Sequence, residues 1–314
     1  LNEQGTFTNL AKISINVLDN STDGLVNRDV FNNSAAGVLE IDGASGTYLV
    51  NQRGTFTNAA KIKLGGLSAT EAINGIRNED LFNNNLGGEI TIINAEVGFV
   101  NSETLTNNAL ITISGRAETV GFRNGNLVTN NTCGRIILLK GMLLNRSANT
   151  FTNRGLVQVT DNLTNEGIFT NNGVLKYGSL TGTVTNSTNP SLIVNDTPTP
   201  IFTYGGTYDG VINGIFIDAN ATVSAGTFSA PNTFTPSGLP LGSQTLYAKI
   251  TPAGSGCTYV VPFTYINAAC NLTDFALSGG GISFCQSPLS IATAGSQIGV
   301  NYQLKRNNVN LGNP

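Results

Sequence analysis

The stretch Asn51-Gln52-Arg53-Gly54-Thr55-Phe56-Thr57-Asn58-Ala59-Ala60-Lys61-Ile62-Lys63-Leu64 decides the fold. It carries an Asn, a short gap, a Phe two residues before a second Asn, and then an alternating apolar pair. The same phrase recurs eight times before residue 190. The second Asn falls at Asn9, Asn33, Asn58, Asn84, Asn107, Asn130, Asn153 and Asn171, in steps of 18 to 26 residues. Two residues before it stand Phe7, Phe31, Phe56, Phe82, Leu105, Val128, Phe151 and Phe169. The leading Asn recurs at Asn2, Asn27, Asn51, Asn78, Asn101, Asn124, Asn145 and Asn165. Self-similarity at such a period marks a repeat architecture before any local propensity is considered.

Each unit closes on a pair such as Ile13/Ile15, Ile62/Leu64, Ile111/Ile113 or Val157/Val159. Alternation with period two is a strand with one buried face. Gly and Asn interrupt every candidate helical stripe. Short strands, no helices and this period predict an all-β chain that opens with a parallel, right-handed β-helix of about eight coils over residues 1–189. Equivalent residues of adjacent coils then lie ~4.8 Å apart. Phe7, Phe31, Phe56, Phe82, Phe151 and Phe169 are expected to stack in the core. Both Asn series, the leading one and Asn9, Asn33, Asn58, Asn84, Asn107, Asn130, Asn153 and Asn171, are expected to form ladders at the corners, where amides bond the turn backbone and one another. From the Phe position to the apolar pair the count runs 6, 8, 6, 8, 6, 8, 6, 6. Coils two, four and six thus carry two extra residues, around Ser34-Ala35, Leu86-Gly87 and Thr132-Cys133, which points to an ancestral two-coil unit.

All ten prolines follow residue 189, and 28 of the 35 charged side chains precede residue 190. Proline removes a ladder donor, so its absence from the coils fits. Strand runs at 214–217, 245–250 and 259–265, separated by turn signals, predict an antiparallel β-sandwich over 190–268. A second, truncated sandwich is expected over 269–314. The chain is expected to be a piece of a longer one, with a cap or earlier coils before the first.

The phrase N-x-x-G-x-F-T-N-x-x-x-I-x-I resembles the Asn/Gly-rich β-helices of secreted bacterial adhesins and of polysaccharide-degrading enzymes. The line GTFSAPNTFTPSGLPLGSQTLYAKITPAGSGCTYVVPFTYI (226–266) resembles the immunoglobulin-like modules of large Bacteroidetes surface proteins. That resemblance covers the last 115 residues or so and implies export by the type IX system. The pairs Thr6/Thr8, Thr55/Thr57, Thr104/Thr106 and Thr150/Thr152 resemble the flat T-x-T arrays of ice-binding β-helices, but Val30 or Leu81 interrupts them on even coils.

A net charge of −3 with 11 % charged residues gives no reason to expect nucleic acid or an anionic membrane as partner. No apolar run is long enough to span a bilayer. Low Lys and abundant Asn, Thr and Gly suit an extracellular or cell-surface location. With no His, the usual general base near neutral pH is missing, and no Trp offers a sugar platform. No catalytic or metal-binding residue and no cofactor is expected. The outward Lys12/Ser14, Glu40, Lys61/Lys63, Glu89/Thr91, Thr112, Arg135 and Gln158 read as a solvated face. Asp19-Asn20-Ser21-Thr22-Asp23-Gly24 lacks the distal Glu of a calcium loop and reads as a turn. Tyr177, Tyr204 and Tyr208 are the one aromatic cluster to watch. Cys133 reads as a free thiol. Cys270–Cys285 and Cys257–Cys270 are both open as disulfides.

These readings lead to a structural, adhesive segment of a secreted bacterial protein. It would present a repeat surface to glycans or other extracellular components, flanked by further domains of the same chain. The alternative is a polysaccharide-active lyase or hydrolase, or its glycan-binding part.

Overall fold

The computed structural model describes residues 1–17, 23–66, 72–114, 120–186, 191–195, 201–205, 211–229, 233–252, 256–267, 277–279, 291–293, 303, 305–306 and 309–310. Contacts divide the chain into two compact units, Leu1–Asn267 and Ala268–Pro314. In the second, Leu277–Gly279 pairs antiparallel with Ile291–Thr293, and Lys305–Arg306 with Val309–Asn310.

The first unit opens with a parallel β-solenoid, and its described residues contain no helix. Three ladders of strands run along it. The Phe ladder stacks Thr6–Asn9, Val30–Asn33, Thr55–Asn58, Leu81–Asn84, Thr104–Asn107, Leu127–Asn130, Thr150–Asn153, Ile168–Asn171 and Thr185–Asn186. The aliphatic ladder begins Lys12–Asn16, Val38–Asp42, Lys61–Leu64 and reaches Ser191–Asn195, beyond residue 189. The return ladder begins Asp23–Asn27, Thr47–Asn51, Ala72–Asn78 and ends in the second halves of Leu156–Asn165 and Val174–Gly182. Six coils contain three separate strands, from the one starting at Asp23 to the one ending in Leu156–Asn165, rather than the eight expected. The first is incomplete, joined through an Asn2–Asn27 bridge. In the last ones a single strand bends through a corner, which the shorter step from Asn153 to Asn171 allows. The ladder stops where Ile201–Gly205 pairs antiparallel with Ser191–Asn195, covering an edge that would otherwise offer free backbone groups.

Each coil encloses a slice of side chains. The aliphatic ladder contributes two, such as Ile90/Ile92 and Ile111/Ile113, all nearly inaccessible. The Phe and return ladders contribute one each. Where the Phe ladder has Phe31, Phe56, Phe82, Phe151 or Phe169, the return ladder has Leu25, Leu49, Ile76, Leu143 or Leu163. Where the Phe ladder has Leu105 or Val128, the return ladder has Phe99 or Phe122. The facing inward positions of the Phe and return ladders thus together supply one ring and one aliphatic group, so volume is conserved while the ring changes wall; Tyr48 and Tyr177 add rings to the same core. The rings of Phe7, Phe31, Phe56 and Phe82 stack with centroids 4.8–5.1 Å apart. The column then crosses to Phe99 edge-on at 5.6 Å, continues to Phe122 at 5.2 Å, and crosses back to Phe151 edge-on at 6.1 Å. Phe7 is 43 % exposed, unlike the rings above it. Gly75 and Gly98 of the return ladder face Ile92 and Ile113, whose Cγ2 atoms a Cβ at either glycine would strike.

Both Asn series are buried and form continuous amide spines. In one, Asn9 Nδ2 donates to Asn33 Oδ1 at 2.8 Å, and each amide does the same to the next as far as Asn171, at 2.7–2.8 Å. In the other, Asn2 donates to Asn27 and the relay continues to Asn165, at 2.7–3.0 Å. Nδ2 also serves a nearby backbone carbonyl along both spines, as Asn78 Nδ2 serves Asp80 O at 2.9 Å and Asn107 Nδ2 serves Ala109 O at 3.0 Å. At several positions Oδ1 also accepts from the backbone two residues on, as that of Asn58 does from Ala60 N at 3.3 Å.

Two outcomes follow. The N58A variant strips the partner from Asn33 Nδ2 and Asn84 Oδ1; chemical denaturation should show a loss of about 2–4 kcal/mol, against under ~0.5 kcal/mol for the outward N83A. L105F alone places two rings in one slice and should cost about 1–3 kcal/mol by overpacking. The F99L/L105F double variant, which moves the ring to the other wall, should recover most of that loss.

Candidate functional surface and the disulfide junction

The three ladders turn outward faces of different chemistry. On the aliphatic ladder, Lys12, Ser14, Glu40, Lys61, Lys63 and Glu89 are charged or polar neighbours on the lower coils. Lys12 Nζ lies 2.8 Å from Glu40, and Lys61 3.9 Å from Glu89. The Lys12 hydrogen bond holds the exposed Glu40 carboxyl below its ordinary range, against a small opposing effect of burial. A shallow depression of about 260 Å³ beside it is lined by Ser14, Asn16, Glu40, Asp42 and Lys63, among others. Exposed pairs of this kind contribute little to stability.

Higher on the same ladder the outward residues become Leu156 and Val174, and these are buried. They lie in one core with Ile215, Leu246, Ala248, Ile250, Tyr259, Val261 and Phe263. Those belong to a three-stranded antiparallel sheet, Val211–Phe216, Gly242–Thr251 and Tyr259–Asn267, beside a hairpin of Gly226–Ser229 and Thr233–Pro236. An autonomous sandwich was the expectation. In the structure the sheet buries its alternating apolar face partly against the solenoid, and Gln158, read as solvated, is 8 % exposed.

The junction is covalent. Cys133 and Cys257 form a disulfide across 124 residues, with Cα atoms 5.5 Å apart, inside the range such bridges require. Cys133 is therefore not a free thiol, and Cys257 does not pair with Cys270. Cys270 and Cys285 lie outside the described residues. The bridge uses the third bulged corner. Gly37 N donates to Ser34 O, Gly88 N to Asn85 O and Gly134 N to Asn131 O, closing a tight turn at each of the three expected corners. At the penultimate turn position Gly87 has φ +87° and Cys133 φ +72°, a left-handed geometry uncommon outside glycine. Tyr259 Oη accepts from Cys133 N at 3.2 Å, and the Arg135 guanidinium lies 5.8 Å from the Tyr259 ring centre. Burial raises the Tyr259 phenol above its ordinary range, although the Cys133 hydrogen bond opposes it.

The Phe ladder differs from both other faces. Its outward side chains pair, coil by coil, as Thr6/Thr8, Val30/Asn32, Thr55/Thr57, Leu81/Asn83, Thr104/Thr106, Leu127/Thr129, Thr150/Thr152 and Ile168/Thr170. None is charged, and all are half-buried or exposed. A T-x-T row alternates with an aliphatic row, so the chemistry repeats every second coil. Register shifts interrupt the aliphatic and return ladders, but none interrupts this one. An Asn spine runs along each of its edges, because every strand lies between a leading and a second Asn.

Other singled-out residues have structural surroundings. Asp80 accepts from Gly54 N at 2.6 Å and Glu79 pairs with Arg77 at 3.2 Å. Tyr177 is buried, which raises its phenol, whereas Tyr208 and most of the Asp19–Gly24 stretch lie outside the described residues. Asp218, missed in the sequence, locks an exposed turn by accepting from Val223, Thr222 and Asn220, which lowers its pKa. Among the described residues no group of three or more His, Cys, Asp or Glu could hold a metal ion. Among the described residues no helix is long and apolar enough to cross a membrane. Comparison with protein-family models, curated proteins and solved structures finds no match to this chain.

The C133A/C257A variant should lose about 2–4 kcal/mol in denaturant under oxidising conditions. Reductant should lower the wild type to the same midpoint and leave the variant unmoved.

Proposed function

We propose that this chain is a structural and adhesive segment of a secreted or cell-surface bacterial protein, holding a rigid repeat surface out toward glycans or other extracellular components. The observation that carries the reading is the charge-free Thr/Asn face, clamped along both edges by buried amide spines. A surface of this kind binds through many weak polar contacts, and multivalency supplies avidity. The Cys133–Cys257 bridge supports an extracellular setting, because such bonds persist in oxidising compartments. The resemblance to Asn/Gly-rich adhesin β-helices and to immunoglobulin-like Bacteroidetes modules points the same way. On this reading the sheet of residues 211–267 begins the connection to flanking domains of the longer chain. Catalysis would call for a localised set of ionisable groups with matched pKa values. The groups with displaced pKa values, Glu40, Tyr177, Asp218 and Tyr259, lie apart and have structural causes.

The test is a broad glycan array probed with residues 1–314, with turnover of every retained polysaccharide assayed in parallel. Retention without released oligosaccharide is the expected result. Released oligosaccharide would replace the adhesive reading with an enzymatic one, and retention of nothing would leave only a spacer.

A further inference from the structure

We infer that the outward face of the Phe ladder is itself the binding surface, and that its ligand is a neutral, extended polysaccharide lying along the solenoid axis. This rests on the adhesive reading above and names its site and ligand class.

Four features lead there. The first is charge. Eight successive strands, from Thr6–Asn9 to Ile168–Asn171, present two outward side chains each without one Lys, Arg, Asp or Glu, whereas the adjacent aliphatic ladder sets Lys12, Glu40, Lys61, Lys63 and Glu89 side by side. A surface built for an acidic polymer would carry cations, since these dominate the recognition of carboxylates and sulfates. Neutral hydroxyl-rich chains need hydroxyl and amide partners, which Thr and Asn provide.

The second is periodicity. T-x-T rows and aliphatic rows alternate, so equivalent groups recur every two coils, or ~9.6 Å at ~4.8 Å per coil. That interval is close to the length of two extended pyranose residues. A polymer with its own translational repeat can therefore meet equivalent rows along the whole face, with hydroxyls against Thr57, Thr106 and Thr152 and ring C–H surfaces against Leu81, Leu127 and Ile168. A globular protein partner without internal repeats has no such period.

The third is rigidity. This is the ladder whose strands are held at both ends by an Asn spine, and it runs without a register shift. A surface fixed before binding loses little conformational entropy on binding, so weak contacts can add. The fourth is shape. The depressions beside Glu40 and beside Phe7 take none of this face's outward side chains, and its rows lie in register over eight strands, which suits a chain laid along it.

The experiment is co-sedimentation of residues 1–314 with neutral insoluble polysaccharides, cellulose and chitin, and affinity electrophoresis in gels containing acidic ones, polygalacturonate and alginate. The variants are T57K/T106K/T152K on the Phe ladder and K61Q/K63Q on the charged flank, each checked for an unchanged melting curve. The expected result is binding to cellulose or chitin that 0.5 M salt does not weaken, because salt at that level shortens screening to ~4 Å and would weaken a contact carried by exposed charges. The triple variant should weaken it at least tenfold and the K61Q/K63Q variant should not. Salt-sensitive binding to an acidic polymer, lost in K61Q/K63Q, would overturn the inference and leave the adhesive reading standing. Neutral-polymer binding that survives in the triple variant would do the same. Retention on no polysaccharide at all would sink both, as would self-association that the triple variant abolishes.

Discussion

A buried amide that hands its hydrogen bond to the same amide one coil above is the interaction on which the rest depends. An Asn side chain has two donors and an acceptor with two lone pairs, and burial makes any unpaired one costly. Here Asn58 accepts from Asn33 and from Ala60 N, and donates to Asn84. A Ser or Thr hydroxyl also donates and accepts, but its single hydrogen cannot continue the relay and serve a corner carbonyl at once. The spine is thus self-consistent only when every coil carries Asn at the corner, which is why the sequence repeats there more faithfully than in the core. Fourteen inter-amide bonds, seven in each spine, match the coil spacing that parallel strand pairing sets and hold the corners of successive coils in register.

The core tolerates change because its constraint is volume rather than identity. A slice needs one ring and one aliphatic group between two walls, and Phe99/Leu105 meets that condition as well as Ile76/Phe82 does. Close-packed interiors penalise a missing or added methylene wherever it falls, so the exchange between walls is a paired change. The polar corners allow no such exchange, since a donor moved to another wall would have no spine to join.

The aliphatic ladder shows how one solenoid serves two environments. Its lower coils meet water with Lys and Glu, and its upper coils meet the three-stranded sheet with Leu156 and Val174. The disulfide sits at the corner nearest that change, with Tyr259 bonded to the Cys133 backbone and beside Arg135. Packing against the solenoid supplies what a three-stranded sheet lacks, namely a second layer for its apolar face.

The sequence by itself determined the parallel solenoid, the members of both Asn spines and most of the aromatic column, because these repeat at a fixed spacing and stacking turns spacing into contact. The three bulged corners were legible as a count. What only the tertiary structure decided are the pairings that no period encodes. Phe99 and Phe122 fill the slices where the Phe series lapses; like Leu25, Leu49 and Ile76 each stands two residues before a leading Asn, but the period alone does not say that a ring there answers a missing ring on the facing wall. Cys133 and Cys257 stand 124 residues apart, on elements brought together by the burial of Leu156 and Val174. Each of those looks in sequence like one more outward residue of a repeat. Local pattern reports which face a side chain takes in its own coil, and only the folded chain determines what stands opposite that face.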